Sequence, residues 1–197
     1  MNVEPVTLNG AKIILEPMLP EHIDELSAVG TAPELWAYTV SQVHDRDAMA
    51  KYVADALTDQ EKGTALPFVT RLADSYKIVG STRFGNIDKS NRKVEIGWTW
   101  VTPEWQKSFV NTEAKLLLLT HAFEIWKCIR VEFKTDAINL RSRNAILRIG
   151  AKEEGTLRQH MITDSGRFRD SVYFSILDSE WDIVRSRLIN RINDSTG

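Results

Sequence analysis

The sequence has little cysteine and no long apolar segment. Cys128 is the single cysteine among 197 residues, so an intrachain disulfide and a thiolate metal cluster are both excluded. No window approaches the roughly 20 apolar residues that span a bilayer. No basic segment followed by a long apolar run stands at the start of the chain. We therefore expect a cytoplasmic protein that has no membrane partner and no metal.

An excess of charge of one sign is also missing. Lysine and arginine total 25 and aspartate and glutamate total 27, which gives a formal net charge of -2. This balance provides no long-range attraction to nucleic acid, so we expect no nucleic-acid partner. The chain also lacks the Gly-x-x-x-x-Gly-Lys-Ser/Thr loop, which argues against nucleotide hydrolysis. An anionic ligand must therefore be recognised by local groups.

The apolar content is sufficient for one substantial core. Hydrophobic residues make up 43% of a chain too short for two independent domains, so we expect residues 1–197 to form a single domain. Alternating apolar residues and turn signals between them predict seven strands. The predicted strands are 12–15, 66–72, 77–87, 93–101, 128–135, 152–161 and 167–177.

Helical spacing of apolar residues predicts helices between these strands. They cover residues 20–30, 47–62, 112–126, 139–149 and 179–192. The helix at 112–126 is apolar on two sides and should be deeply packed. It joins strands 93–101 and 128–135, and a strand-helix-strand crossover of this length makes the two strands parallel neighbours. The pattern predicts a mixed α/β domain of the α+β class.

The segment between Val101 and the central helix is the candidate for ligand binding. A polar turn from Gln106 to Asn111 leads into the helix start. The first N–H groups of a helix have no intrahelical partner and carry partial positive charge, so they can receive phosphate oxygens. Many α/β proteins have the same strand, turn and helix with nothing bound, and this alternative stays open.

The residue pattern of this turn resembles the acetyl-CoA-binding motif of GNAT acetyltransferases, Gln/Arg-x-x-Gly-x-Gly/Ala. Gln106 matches the first position, whereas Phe109 and Asn111 stand where small residues are usual. Because glycine lets the backbone approach the diphosphate, the Phe109 side chain must point away from the loop. The run from Asn111 to Ala114 is similar to the helix start of the GNAT branch related to ribosomal-protein N-terminal acetyltransferases.

A second block extends this resemblance, which covers about residues 9–190. It includes the run Asn139–Leu140–Arg141–Ser142, then Ile149–Gly150–Ala151 and Tyr173. The resemblance implies a GNAT fold, with a central, mostly antiparallel sheet of about seven strands. One parallel pair in it is splayed, and helices flank both faces. It also implies acetyl-CoA as co-substrate. The residues implied to bind it are Trp100, Val101, Gln106, Lys107, Ser108, Phe109, Val110, Asn111, Thr112, Asn139 and Ser142.

The resemblance also implies further site residues, whereas Glu95 is assigned from its position on the central strand. Ser142 is implied to lie near the coenzyme sulfur, where its hydroxyl could protonate the departing thiolate, and Tyr173 is the second candidate for that role. Glu95 is our candidate base for the acceptor ammonium. Trp36 and Tyr38 are implied to border the acceptor pocket. Each assignment has a structural alternative. Ser142 could bond to a carbonyl one turn back, Tyr173 could be a core residue, and Glu95 could pair with Arg83 or Lys93. Trp36 and Tyr38 could be aromatic residues of the core.

Two further alternatives concern ligand contacts. Lys107 could be an ordinary solvated lysine, and Asn139 could serve only as a helix cap.

The resulting hypothesis is an N-acetyltransferase that transfers acetyl to a primary amine by direct attack. The acceptor is a small-molecule or peptide amine, and the protein is a monomer or homodimer. The competing hypothesis is a non-catalytic acyl-CoA-binding protein of the same fold.

Overall fold

The protein is built on one eight-stranded sheet, as seen in a computed structural model that describes residues 1–194. The strand order is β1-β2-β3-β4-β5-β6-β8-β7. The strands are β1 (Leu8–Asn9), β2 (Ile13–Pro17), β3 (Leu66–Leu72), β4 (Ile78–Asp88), β5 (Lys93–Val101), β6 (Arg130–Asp136), β7 (Lys152–Ile162) and β8 (Phe168–Leu177). The predicted fold class is confirmed. The strand beyond the predicted seven is β1, whose two residues are too few to show alternation.

Within residues 1–194, six α-helices connect or follow the strands. They are α1 (Ile23–Gly30), α2 (Pro33–Trp36), α3 (Arg46–Glu61), α4 (Phe109–Thr120), α5 (Leu140–Arg148) and α6 (Trp181–Asp194). Helix α4 continues into a π-helical turn at His121–Ile125. Among residues 1–194, no helix combines the length and apolar character needed to cross a bilayer.

Helices pack on both faces of the sheet. On one face, α4 and α6 cover a core that includes Phe84, Leu118 and Phe133. On the other, α1, α2 and α3 enclose a smaller cluster that includes Leu26 and Trp36. The two apolar sides of the central helix predicted its deep burial, and Leu118 is fully buried.

The parallel pair β5–β6 separates soon after it forms. Only Lys93–Glu95 pair with Arg130–Glu132, while β5 runs on to Val101 beside β4 alone. Within this extension the register against β4 shifts, and Trp98 adopts a left-handed φ of 50°. Such a bulge bends the strand and leaves peptide groups unpaired. After Glu95 the peptide groups of β5 therefore have no partner on β6, and the predicted splayed pair is confirmed.

Candidate functional site

A cleft of about 520 Å³ opens where β5 and β6 diverge. Its walls come from these strands, the start of α4, helix α5 and the segment 34–41. Most residues predicted to form a site line this cleft. They are Trp36, Tyr38, Glu95, Trp100, Val101, Gln106, Lys107, Ser108, Asn111, Thr112, Asn139 and Ser142. Phe109, Val110 and Tyr173 are not part of the lining.

The start of α4 forms one end of the cleft. The helix begins at Phe109, three residues before the predicted start, because Ser108 caps it: Ser108 Oγ accepts a hydrogen bond from Val110 N at 3.2 Å. The same hydroxyl donates to Trp105 O at 2.7 Å. The N–H groups of Phe109 and Asn111 lie in the first turn and have no intrahelical acceptor. They give this end of the cleft a partial positive charge.

The Phe109 side chain turns away from the cleft, as the predicted site requires. Its ring packs edge-on against Trp105 with centroids 5.8 Å apart, and Lys12 Nζ lies 4.8 Å from the ring centre. Val110 is fully buried in the core. The Phe109 side chain, at a position where a small residue is usual, therefore leaves the cleft mouth open.

Gln106 joins the two sides of the cleft mouth, and Asn139 caps the helix on one of these sides. Gln106 Nε2 donates to Val101 O at 3.0 Å, and Arg141 Nη1 donates to Gln106 Oε1 at 2.7 Å. Asn139 Oδ1 caps α5 by accepting a hydrogen bond from Ser142 N at 3.0 Å. Asn139 is therefore a helix cap, and it lines the cleft as well.

Ser142 presents an available hydroxyl. The residue is half-buried in the cleft wall, and its Oγ makes no hydrogen bond to any group in residues 1–194. The alternative, in which this hydroxyl bonds to a carbonyl one turn back, does not occur. A hydroxyl without a partner can serve a ligand as donor or acceptor.

Glu95 lies at the floor of the cleft and is 3% exposed. Its Oε2 accepts a hydrogen bond from Asn86 Nδ2 at 2.8 Å and lies 3.3 Å from Lys134 Nζ. No group in residues 1–194 donates a hydrogen bond to Oε1. The carboxylate therefore keeps one oxygen available to a ligand.

The alternative in which Glu95 pairs with Arg83 or Lys93 is wrong. The Arg83 guanidinium stacks on Trp98 at 4.9 Å, and Lys93 Nζ lies 3.6 Å from Glu132. The parallel register explains the contact with Lys134. The backbone of Glu95 lies beside that of Glu132 on β6, and Lys134 is two residues further along on the same face of the strand.

The structure does not bring Tyr173 to the cleft wall. Its ring centre lies 5.7 Å from Lys134 Nζ and 5.7 Å from the His160 ring. Tyr173 is on β8, one strand beyond β6. Ser142 is therefore better placed than Tyr173 to meet a ligand in the cleft.

Trp36 and Tyr38 differ in their surroundings. Trp36 is 3% exposed, donates from Nε1 to Gly30 O at 2.7 Å, and packs 6.0 Å from the Trp100 ring. Tyr38 is 40% exposed at the rim. Trp36 is therefore a core residue that also borders the cleft, whereas Tyr38 is accessible to solvent and to a ligand.

Lys115 is a cleft residue that the sequence analysis missed. It lies on α4, is 6% exposed, and has no carboxylate partner among the described residues. Its Nζ donates to Thr99 Oγ1 at 2.7 Å and to Thr82 Oγ1 at 3.4 Å. Burial lowers the pKa of Lys115 to about 7. The available signal was its helical spacing to Leu118, which places the lysine on the buried face.

Comparisons with known proteins agree with this geometry. The family model described as "Acetyltransferase (GNAT) domain" matches residues 12–152. Among related proteins, YdaF of Bacillus subtilis, named as a proposed ribosomal N-acetyltransferase, is 36% identical over 105 residues, or 53% of this chain. The match spans 56% of the length of YdaF. The uncharacterized N-acetyltransferase p20 of Bacillus licheniformis is 26% identical over 176 residues, which cover 89% of this chain and 98% of the length of p20.

Solved structures share the architecture over nearly the whole chain. A GCN5-related N-acetyltransferase from Brucella melitensis is 29% identical with a TM-score of 0.86, covering 95% of this chain and 85% of the other. RimJ of Mycobacterium smegmatis in complex with CoA-disulfide is 23% identical with a TM-score of 0.80, covering 96% of each chain. At this level of identity, the similarity to RimJ shows a shared fold and nothing more. Among residues 1–194, no cluster of three or more histidine, cysteine or acidic side chains could hold a metal ion.

Proposed function

Since the chain belongs to the GNAT acetyltransferase family, we propose that it transfers acetyl from acetyl-CoA to a primary amine by direct attack in a ternary complex. The observation that supports this most is the divergence of β5 and β6 after Glu95, which opens a cleft beside the start of α4. The split strands and the helix start present backbone donors to one ligand from two directions.

The residues present fit acetyl-CoA. The diphosphate would meet the N–H groups from Phe109 to Thr112 at the start of α4, with Lys107 and Arg141 adding positive charge at the mouth. The amide arm would lie along the free edge of β5 near Trp100 and Val101, with Asn139 on the opposite wall. When bound, acetyl-CoA supplies the thioester carbonyl that the amine attacks.

Two side chains have the proton-transfer roles. Glu95 takes a proton from the acceptor ammonium, directly or through water, using the oxygen that has no partner in the described chain. The neutral nitrogen forms a C–N bond with the acetyl carbon as the C–S bond breaks. Ser142 donates its hydroxyl proton to the leaving sulfur, and the second proton that the acylated nitrogen loses passes through water to the Ser142 oxygen. Backbone N–H groups on the splayed part of β5 stabilise negative charge on the acetyl oxygen.

The acceptor site lies on the side bordered by Trp36 and Tyr38. The ribosomal activity proposed in the name of YdaF supports a peptide amine as acceptor, and a small-molecule amine is the other class. We place the reaction in the cytoplasm, where acetyl-CoA and such acceptors are available. The protein would act as a monomer or homodimer.

A binding and transfer experiment tests this function. Calorimetry with CoA and acetyl-CoA measures affinity, and thiol release with a panel of peptide and small-molecule amines measures transfer. We expect binding of both ligands and amine-dependent thiol release. Binding without release from any amine would instead favour a passive acyl-CoA-binding protein, and the absence of both would reject the GNAT assignment of the cleft.

A further inference from the structure

Arg169 is a buried cation in the cleft wall, and it has no hydrogen-bond partner among residues 1–194. The residue is 7% exposed, and its Nε atom is fully buried with no acceptor among residues 1–194. Its only ion pair in the described chain is a loose contact of Nε with Asp136 Oδ2 at 3.9 Å. Because guanidinium groups are rarely buried without an acceptor, this one requires an explanation.

The neighbouring charges do not satisfy Arg169. Asp136 already accepts a short ionic hydrogen bond from Arg167 Nη2 and a hydrogen bond from Ile138 N at 3.1 Å. Glu95 is paired with Lys134. Around Arg169 these two carboxylates therefore face three cations, and Arg169 is the cation in excess.

Arg169 lies on the acceptor side of the cleft. It is on β8, which is separated from β5 by β6. The β7–β8 turn beyond it is tied to the segment that follows Tyr38: Asp164 N donates to Val40 O at 3.0 Å, and Gln42 N donates to Asp164 Oδ2 at 3.1 Å. Arg169 and Tyr38 thus border the same part of the cleft.

We propose that the acceptor of this enzyme carries a carboxylate close to its amine, and that Arg169 binds this carboxylate while Glu95 receives the proton of the amine. A guanidinium pairs with a carboxylate through two parallel hydrogen bonds, which fixes the orientation of the group. The inference rests on the proposed acetyl transfer and narrows its substrate class. The carboxylate could be a free chain end or an acidic side chain next to the amine.

The test compares acceptors that differ only in the carboxylate. One pair is the dipeptide Ala-Ala and its C-terminal amide, and the other is the amidated pentapeptide Ala-Asp-Ala-Ala-Ala and its counterpart with asparagine. Acetyl transfer is measured with saturating acetyl-CoA for the wild type, Arg169→Met and Arg167→Met. Arg167 is the matched control because it also contacts Asp136 but is not part of the cleft lining. Calorimetry measures the CoA affinity of each protein.

We expect the wild type to favour the carboxylate member of at least one pair by about tenfold or more in kcat/KM, as expected for a charged hydrogen bond. Arg169→Met should remove this preference mainly through acceptor KM and keep CoA affinity, while Arg167→Met should retain the preference. The pair that shows it identifies the source of the carboxylate.

Other results would overturn the inference. These are equal transfer to acid and amide by the wild type, or transfer only to amines without a carboxylate. A preference that survives in Arg169→Met would also overturn it. Loss of CoA affinity in Arg169→Met would assign Arg169 to the coenzyme phosphates instead. If no amine is acetylated at all, the proposed function fails together with the inference.

Discussion

Lys115 Nζ lies 2.7 Å from Thr99 Oγ1, directly behind the bulged part of β5 that lines the cleft. Thr99 Oγ1 is also 2.8 Å from Thr82 Oγ1, so the lysine joins α4 to two adjacent strands through hydroxyl groups alone. A buried ammonium without a carboxylate is costly, and this cost is the cause of its lowered pKa.

We expect Lys115→Met to stabilise the protein in a pH-dependent way. The pKa of Lys115 falls from 10.5 to about 7 on folding, so between these values the unfolded chain holds a proton that the folded chain has lost. The cost of burying the charge is fully present below pH 7 and disappears as the pH rises toward 10.5. At about 1.4 kcal/mol for each pKa unit, the gain from methionine should reach a few kcal/mol at pH 6.

Urea unfolding at pH 6, 7.5 and 9 measures this change. The free energy of unfolding of the variant should exceed that of the wild type most at pH 6 and least at pH 9. Lys107→Met is the control, because Lys107 is exposed and its removal should give no such trend. A difference that is constant with pH, or a loss of stability at pH 6, would contradict the prediction.

The sequence predicted the sheet better than the helix starts. Strand β5 has its predicted bounds because apolar and polar residues alternate along all of it. The start of α4 was missed because the GNAT resemblance assigned Phe109 and Asn111 to a loop. The serine at 108 is a strong capping residue and was the local signal for the earlier start.

Partners across the cleft were less predictable than residues in its walls. The contact between Glu95 and Lys134 depends on the parallel register of β5 and β6, which no local pattern specifies. The excess positive charge around Arg169 also depends on the tertiary structure, because strands β5, β6 and β8 bring the charged side chains together. Propensity and motif identify which segments line the cleft, whereas pairing within it requires the tertiary structure.

We expect Asn111→Pro to weaken CoA binding more than Asn111→Ala. Asn111 is the third residue of α4, where proline removes an N–H group that the helix itself does not use. Alanine removes the side chain and keeps that N–H. Calorimetry should show a loss of about tenfold for proline, as expected for a hydrogen bond to a charged group, and a smaller loss for alanine.

Circular dichroism of Asn111→Pro is the necessary control for that comparison. The two variants should have equal helix content, because proline is tolerated in the first turn of a helix. Equal CoA affinity of the proline and alanine variants would mean that the diphosphate does not use this N–H group.

We expect Glu95→Gln to reduce turnover without abolishing CoA binding. Glutamine keeps the shape and can still bond to Asn86, but it cannot accept a proton from the ammonium. The turnover number should fall about 100-fold near neutral pH, at the low end for general base catalysis. A pH profile of kcat from 6 to 10 should show the variant approaching the wild type at high pH, where the free amine needs no base.

The matched control for this prediction is Glu132→Gln. Glu132 is the register partner of Glu95 on β6 and pairs with Lys93 and Arg130, but it does not line the cleft. Its substitution should leave the pH profile unchanged. The same loss in both variants would indicate a general effect of charge on the sheet and remove Glu95 from the role of base.

We expect Ser142→Ala to lower kcat more than it weakens CoA binding. The hydroxyl has no partner in residues 1–194, so its removal leaves no buried group unsatisfied, and Ser142 N still donates to Asn139 Oδ1. Loss of a proton donor to the leaving sulfur should reduce kcat about 100-fold, while the dissociation constant of CoA stays within about twofold. Ser142→Thr restores a hydroxyl and should recover part of the activity. If alanine and threonine lose kcat equally, or if kcat falls only in proportion to CoA affinity, Ser142 contributes to binding and is not the acid.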